Sequence, residues 1–173
     1  MKIEIKPSSN LSTALKDELI RLCTEAYEEQ YEEILDELGP ATHLLGFIEE
    51  RLIAHALYIN RNLQTNDRSF RTAFVEAVAV LPELQGQGFG SKIMSAIPKL
   101  LNSFDLAALS PSEESFYSRL GWELWKGPLF YRSLHGEQIE TPDEQVMIYR
   151  LPLTGDLDLN SSLSCEWRKG DIW

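Results

Sequence analysis

Lys2 to Lys6 alternates charged and apolar residues, the period-two pattern of a half-buried strand. Pro7-Ser8-Ser9-Asn10 breaks it and supplies helix-capping side chains. Leu11, Leu15, Leu19, Leu22 and Ala26 then recur at helical spacing and predict one buried helix face. A second helical piece is predicted over Tyr31 to Leu38, stopped by Gly39-Pro40. Two apolar, β-rich runs follow, Leu44 to Glu50 and Leu52 to Leu63, and the Glu49-Glu50-Arg51 break predicts a hairpin. Thr65-Asn66-Asp67-Arg68 reads as a further turn, and Ser69 to Val80 as the central strand. Ser91 to Leu101 reads as a helix with Ile93, Ile97, Leu100 and Leu101 on one side. Phe104 to Leu109 is a short apolar strand. Pro111-Ser112-Glu113-Glu114 opens another helix, with proline and acids in its first turn, and Gly121 ends it. Glu123 to Tyr131 and Val146 to Leu151 are predicted late strands. The segment from about 152 to 173 is polar until Cys165, yet Trp167 and Trp173 tend to bury large area, so a packed tail is predicted. No repeat or linker interrupts the chain, which predicts a single domain over 1–173.

The stretch Phe74 to Lys92 carries the clearest chemistry. An apolar strand holding one acid, Glu76, runs through Val78, Ala79 and Val80 into Leu81-Pro82. Gln85, Gly86, Gln87, Gly88, Phe89, Gly90 and Ser91 follow, and a helix begins there. Strand, glycine loop and helix form a phosphate-binding arrangement, because the loop and helix start offer backbone N–H groups and a partial positive charge. The spacing is neither GxxxxGK[ST] nor GxGxxG, and the loop follows antiparallel strands rather than opening a βαβ unit. Nucleoside triphosphate and dinucleotide readings are therefore poor.

Composition narrows the partners. The net charge of -11 argues against a nucleic-acid binder, which needs a basic face, and suits a cationic partner. From Cys23 to Glu50 there is no Lys or Arg, while Glu25, Glu28, Glu29, Glu32, Glu33, Asp36 and Glu37 accumulate. This reads either as a solvated face or as an acidic wall for a polycation. Cys23 and Cys165 are too few for a disulfide framework, and Cys23 falls on an apolar helix face. His43, His55 and His135 form no HxxxH pair, so no metal is expected. No signal peptide or membrane span is read, and the expected location is cytoplasmic. A homodimer is one of the assemblies expected.

Gln85-x-x-Gly88-x-Gly90 resembles the [Q/R]xxGx[G/A] motif of the GNAT superfamily of acyl-CoA N-acyltransferases, and VEAVAVLPELQGQG resembles the strand and turn before it. Phe116-Tyr117-Ser118-Arg119-Leu120-Gly121-Trp122 resembles that superfamily's FYxxxGF segment. The resemblance implies an α+β (mixed α/β) fold: a central, twisted, mostly antiparallel sheet with a splayed fourth and fifth strand, flanked by helices on both faces. It implies acetyl-CoA as co-substrate, with no metal. The donor would meet the backbones of Val78, Ala79 and Val80 and the Gln85 to Ser91 loop. Gly121, Trp122, Trp125, Gly127 and Pro128, then Thr141-Pro142-Asp143-Glu144, then Cys165 to Trp173, further resemble the aminoglycoside 2'-N-acetyltransferases. That likeness implies transfer to a small cationic amine, with Ser110, Glu144 or Asp143, Asp171 and the terminal carboxylate of Trp173 on the acceptor. Ala77 stands where the family usually has glycine. Transfer needs a neutral amine, and an alkyl ammonium has a pKa near 10, so a base is required. Glu76 is the candidate base, working directly or through a water, and Tyr117 the candidate acid at the departing thiolate. Other polyamines, protein amines, or acyl-CoA sensing without turnover stand as alternatives.

Overall fold

The alternating N-terminal segment forms β1 (Lys2–Pro7), which pairs antiparallel with β2 (Ala41–Ile48). The computed structural model describes residues 1–65 and 68–173, so Asn66 and Asp67 of the predicted turn lie outside the described residues. The chain divides into two compact units: Met1–Ile59 with Val75–Lys99, and Asn60–Phe74 with Leu100–Trp173.

In the first unit, β2 pairs with β3 (Arg51–Gln64) as the predicted hairpin. Between β1 and β2 lie α1 (Thr13–Tyr27) and α2 (Glu32–Glu37). The Ser12 Oγ accepts from the Leu15 N–H at 3.3 Å and satisfies one of the unpaired donors at the start of α1. Leu19, Leu22 and Cys23 are buried, as their spacing predicts. Residues 52–57 of β3 are buried without a break, which marks a strand covered on both faces and explains its continuous apolar run. β4 (Ser69–Val80) lies beside β3, and the Leu81 N–H donates to the Ile53 carbonyl at 3.0 Å. A 3-10 turn at Pro82–Leu84 precedes α3 (Phe89–Met94), and a second 3-10 turn covers Ile97–Leu100. The single helix predicted over Ser91 to Leu101 is therefore broken. Pro98 lacks an N–H and disfavours the helical backbone at Ile97. The acidic run is mostly exposed, but Asp36 is not unneutralised: Lys16 Nζ lies 2.7 Å from its Oδ1.

In the second unit, β5 (Leu106–Leu109) pairs in parallel with Thr72–Phe74. The pairing ends at Phe74, and β4 runs on to Val80. α4 (Glu114–Ser118) follows, then β6 (Glu123–Leu124), β7 (Leu129–Arg132), β8 (Gln138–Glu140), β9 (Met147–Arg150) and β10 (Leu163–Glu166). β9 pairs with β5 and β6, while β10 pairs with β3 at Gln64 and in parallel with β7, which carries β8. The described pairings are antiparallel apart from β4–β5 and β7–β10. Leu63, Phe70, Phe74, Leu106–Leu109, Val146–Ile148, Leu163 and Cys165 supply the buried interior.

The predicted strand Glu123 to Tyr131 is two strands. The backbone around Gly127 turns against the 159–161 segment, where the Lys126 and Gly127 N–H groups share the Leu159 carbonyl at 2.9 Å. A Cβ on Gly127 would sit 1.9 Å from the Ser161 carbonyl oxygen. Gly127→Ala must therefore displace backbone, and an equilibrium urea titration should show a loss of about 3 kcal/mol.

The tail is a strand and its anchor. Arg61 is 4% exposed on β3 and donates Nη2 to the Glu166 carbonyl at 2.8 Å, Nη1 to the Ile172 carbonyl at 2.5 Å and Nε to Glu166 Oε1 at 3.3 Å. Its guanidinium also lies 5.1 Å from the Phe74 ring centroid. Trp173 is buried as predicted, but Trp167 is 43% exposed, so one tryptophan rather than two packs the tail.

Candidate active site

β4 carries the candidate base on an irregular backbone. Glu76, Val78 and Val80 are half-buried, whereas Ala77 and Ala79 are buried. Ala77 has φ 52°, in the left-handed region that an L-residue enters at a cost of about 1–2 kcal/mol. A glycine-like backbone thus carries an alanine here. Ala77→Gly relieves that cost, whereas Ala79→Gly only removes a buried methyl and adds chain entropy. Chemical denaturation should find Ala77→Gly the more stable of the two variants by about 1–2 kcal/mol.

Two side chains of the first unit hold this bend. The His55 Nδ1–H donates to the Ala77 carbonyl at 2.8 Å, and the Tyr27 hydroxyl donates to the Val78 carbonyl at 2.9 Å. The carbonyl can only accept, so His55 carries its proton on Nδ1. Its Nε2 then accepts from His43 Nδ1 at 3.0 Å, and His43 Nε2 accepts from the Ser8 hydroxyl at 3.0 Å. Burial pushes His43 down to about 4 and, with His43 beside it, His55 down to about 3. Both rings are neutral at physiological pH, as a one-way chain of donors requires. Cys23 lies 3.9 Å from His55 Nδ1, and burial pushes its thiol up to about 12, so it is an inert core group.

The glycine loop follows in the same unit. Gly86 and Gly88 take φ of 73° and 83°, conformations that glycine enters without cost. Gln85 Nε2 donates back to the Val80 carbonyl at 3.2 Å, and Gln87 Nε2 to the Glu83 carbonyl at 3.2 Å. The glutamines therefore brace the loop against the end of β4. Lys92 N–H is bonded to the Gly88 carbonyl at 3.1 Å, and the amides of Phe89, Gly90 and Ser91 lie in the first turn of α3, whose geometry leaves its leading N–H groups without helical partners. Glu76, Val78, Ala79, Val80 and the whole Gln85 to Ser91 loop accordingly share one unit.

Tyr117, Ser110, Glu144, Asp171 and Trp173 belong to the second unit. Tyr117 is 5% exposed, packed edge-on to Phe116 and Trp122. Burial pushes its phenol up, against a smaller opposing effect of a hydrogen bond with Ser112, so the hydroxyl keeps its proton at neutral pH. Ser110 is exposed just after β5. A pocket of about 390 Å³ is lined by Trp125, Gly127, Glu140, Thr141, Asp143 and Glu144, among others. Trp173 Nε1 donates to Thr141 Oγ1 at 2.9 Å, and the Glu144 N–H donates to the Thr141 carbonyl at 3.2 Å. The tail and the predicted acceptor residue Glu144 thus meet on one threonine. Asp171 is exposed, and its carbonyl accepts from Arg168 Nε. Among the described residues no cluster of three or more His, Cys, Asp or Glu could hold a metal, and no helix is long and apolar enough to cross a membrane.

Sequence reading missed Glu140 and Thr141 as pocket residues, and Tyr27 and His55 as supports of β4. The His43–His55 pair had a signal. The hairpin register sets His43 opposite Leu57 and Leu45 opposite His55, which brings the two histidines to diagonal positions.

A family profile described as an acetyltransferase (GNAT) domain matches residues 9–125, and the chain belongs to this family of acyltransferases. An aminoglycoside 2'-N-acetyltransferase of Mycolicibacterium fortuitum is 31% identical over 178 aligned residues, covering 96% of this chain and 89% of that protein. Among solved structures, a GNAT family N-acetyltransferase of Escherichia coli in complex with CoA matches with TM-score 0.68 at 16% identity, over 97% of this chain and 91% of that one. A GNAT family acetyltransferase of Brucella melitensis in complex with acetyl-CoA matches with TM-score 0.53 at 16% identity, over 70% of this chain and 83% of that one. The fold is the mixed α/β GNAT fold predicted from the loop and strand motifs.

Proposed function

We propose that this acetyltransferase moves the acetyl group of acetyl-CoA to a primary amine of a small cationic molecule, an aminoglycoside at its 2'-amino group. The acidic pocket carries the reading of the acceptor. Glu140, Asp143 and Glu144 line one cavity whose Thr141 is bonded to the tail, and a polyamine would lose its hydration there against fixed negative charge. The 31% identical relative supports the same acceptor class.

The residues fit the donor. Val75 to Val80 extends beyond the β5 pairing, and Gly86 and Gly88 have open space where a Cβ would stand, so backbone can approach a pyrophosphate closely. Bound acetyl-CoA supplies a thioester, whose carbonyl is open to attack by a neutral amine. In this reading the Gln85 to Ser91 amides and the backbones of Val78, Ala79 and Val80 hold the donor. Glu76 takes the proton of the acceptor ammonium through a water, and Tyr117 gives a proton to the departing sulfur. Ser110, Glu144, Asp171 and Trp173 orient the acceptor. Catalysis is then mainly positioning and carbonyl polarisation, with no covalent enzyme intermediate. Acetylation removes one positive charge from the aminoglycoside, and we propose antibiotic resistance in the cytoplasm as its use.

The test is thiol release from acetyl-CoA with kanamycin, tobramycin and spermidine as acceptors, with the product's acetylated nitrogen located by NMR. Glu144→Gln with Asp171→Asn should raise the amine KM about tenfold and leave that for acetyl-CoA within twofold. Turnover of spermidine alone would replace the aminoglycoside by another polyamine. Tight acetyl-CoA binding without release on any amine would make the chain a sensor.

A further inference from the structure

His55 has a place in the reaction that its burial conceals. It is 0% exposed, so it meets no solute, yet both ring nitrogens are engaged and their directions are fixed. His43 offers Nδ1–H to Nε2, which forces the remaining proton of His55 onto Nδ1, facing Ala77. The described peptide bonds are all trans. In a trans peptide the carbonyl and the following N–H point in opposite directions. Fixing the Ala77 carbonyl on His55 therefore turns the Val78 N–H away from His55. The Tyr27 hydroxyl fixes the next carbonyl, that of Val78, so two successive peptides are held by side chains. A hydrogen bond received at a peptide carbonyl also polarises that peptide and strengthens its N–H as a donor.

We infer that His55 is a positioning residue for acetyl transfer: its Nδ1–H, through the Ala77 carbonyl, aims and strengthens the Val78 N–H as the donor that meets the acetyl carbonyl. The inference rests on the proposed contact of Val78 with acetyl-CoA. It explains why an alanine is kept in a left-handed conformation, since the bond from His55 offsets the cost of the bend. It also assigns a purpose to a buried pair of neutral histidines that the transfer chemistry does not otherwise use. A packing role alone requires neither a fixed tautomer nor a second ring to fix it.

Two measurements separate the possibilities. Long-range 1H–15N spectra of the wild-type protein at pH 7 should show His55 neutral and protonated at Nδ1. Steady-state kinetics should show His55→Leu lowering kcat on the order of 10²-fold, the scale of losing one aligned carbonyl-polarising donor, with the amine KM within threefold of wild type. His55→Asn keeps an N–H near the position of Nδ1 and should recover kcat to within roughly tenfold of wild type. His55→Gln moves that N–H to the other side and should stay slow, so the Asn and Gln pair carries the test if the leucine variant does not fold. An Nε2-protonated His55, wild-type kcat in His55→Leu, or equal kcat in the Asn and Gln variants would each overturn the inference. Absence of turnover in the wild type would instead sink the function reading, and the positioning role with it, while the tautomer spectrum still reports whether the bond to Ala77 exists.

Discussion

Glu76→Gln should lower kcat by about 10²–10⁴-fold, the usual contribution of a positioned general base, while acetyl-CoA binding stays unchanged. Glutamine keeps the length and shape of the side chain on β4 and cannot take a proton at neutral pH. The loop proposed to hold the donor, braced through Gln85 and Gln87, is untouched by the change. Isothermal titration with acetyl-CoA should therefore give the wild-type affinity, and single-turnover mixing should show the loss in the chemical step. The deficit should narrow with an acceptor amine of low pKa, which arrives already neutral and needs no base. A deficit equally large for high- and low-pKa amines would remove Glu76 from the role of base.

Acid should weaken this protein through its two buried histidines. Both have folded-state values below the ordinary 6.5, at about 4 for His43 and about 3 for His55, because burial disfavours the cation. The unfolded chain therefore binds protons more readily than the folded one below pH 6.5. The contribution of the pair is full above that value and declines as pH falls toward the folded values. At pH 5 the loss is up to about 2 kcal/mol for each ring. Protonating His55 also sets N–H against N–H across their 3.0 Å contact, while a proton added to His43 falls on Nε2 and meets the Ser8 hydroxyl there. Falling self-repulsion in a chain of net charge -11 acts in the opposite sense, so a reference is needed. Urea titrations at pH 8 and pH 5 should show the wild type losing about 3 kcal/mol more than His43→Gln/His55→Asn, which has no ring left there to titrate. Parallel losses in the two proteins would mean that the rings do not resist protonation.

Short-range patterns were legible in the chain. β4 spans Ser69–Val80 because a β-rich run sits between breakers at both ends, and the Gly86 and Gly88 turns follow from glycine's freedom at positive φ. The buried face of α1 follows from its spacing in the same way. Long-range features were not legible. Nothing local marks Ala77 as left-handed, since its bend is held by His55, twenty-two residues away in the chain. β10 is too short and polar to read as a strand, and only its pairing with β3 and β7 makes it one. The break at Pro98 was written in the sequence, but the apolar period running through it favoured a longer helix. The tail string pointed to Trp173, and the cavity beside Thr141 gives that tryptophan a neighbourhood that no local pattern contained.

The position of β10 has a kinetic consequence. It lies between β3 and β7, so among the described residues β7 and β8 join their sheet through the strand built from residues 163–166. Arg132 adds to the same seam, reaching Ser164 Oγ at 2.7 Å and the Asn62 carbonyl at 2.8 Å. Closing β10 onto β3 joins residues about a hundred apart in the chain, and such closure is slow. The β7–β8 hairpin should therefore remain undocked until β10 arrives, and the two should open together in native-state hydrogen exchange. The acidic cavity, walled by Leu129 and Glu140 at the ends of those two strands, is then among the last surfaces of the folding chain to take shape.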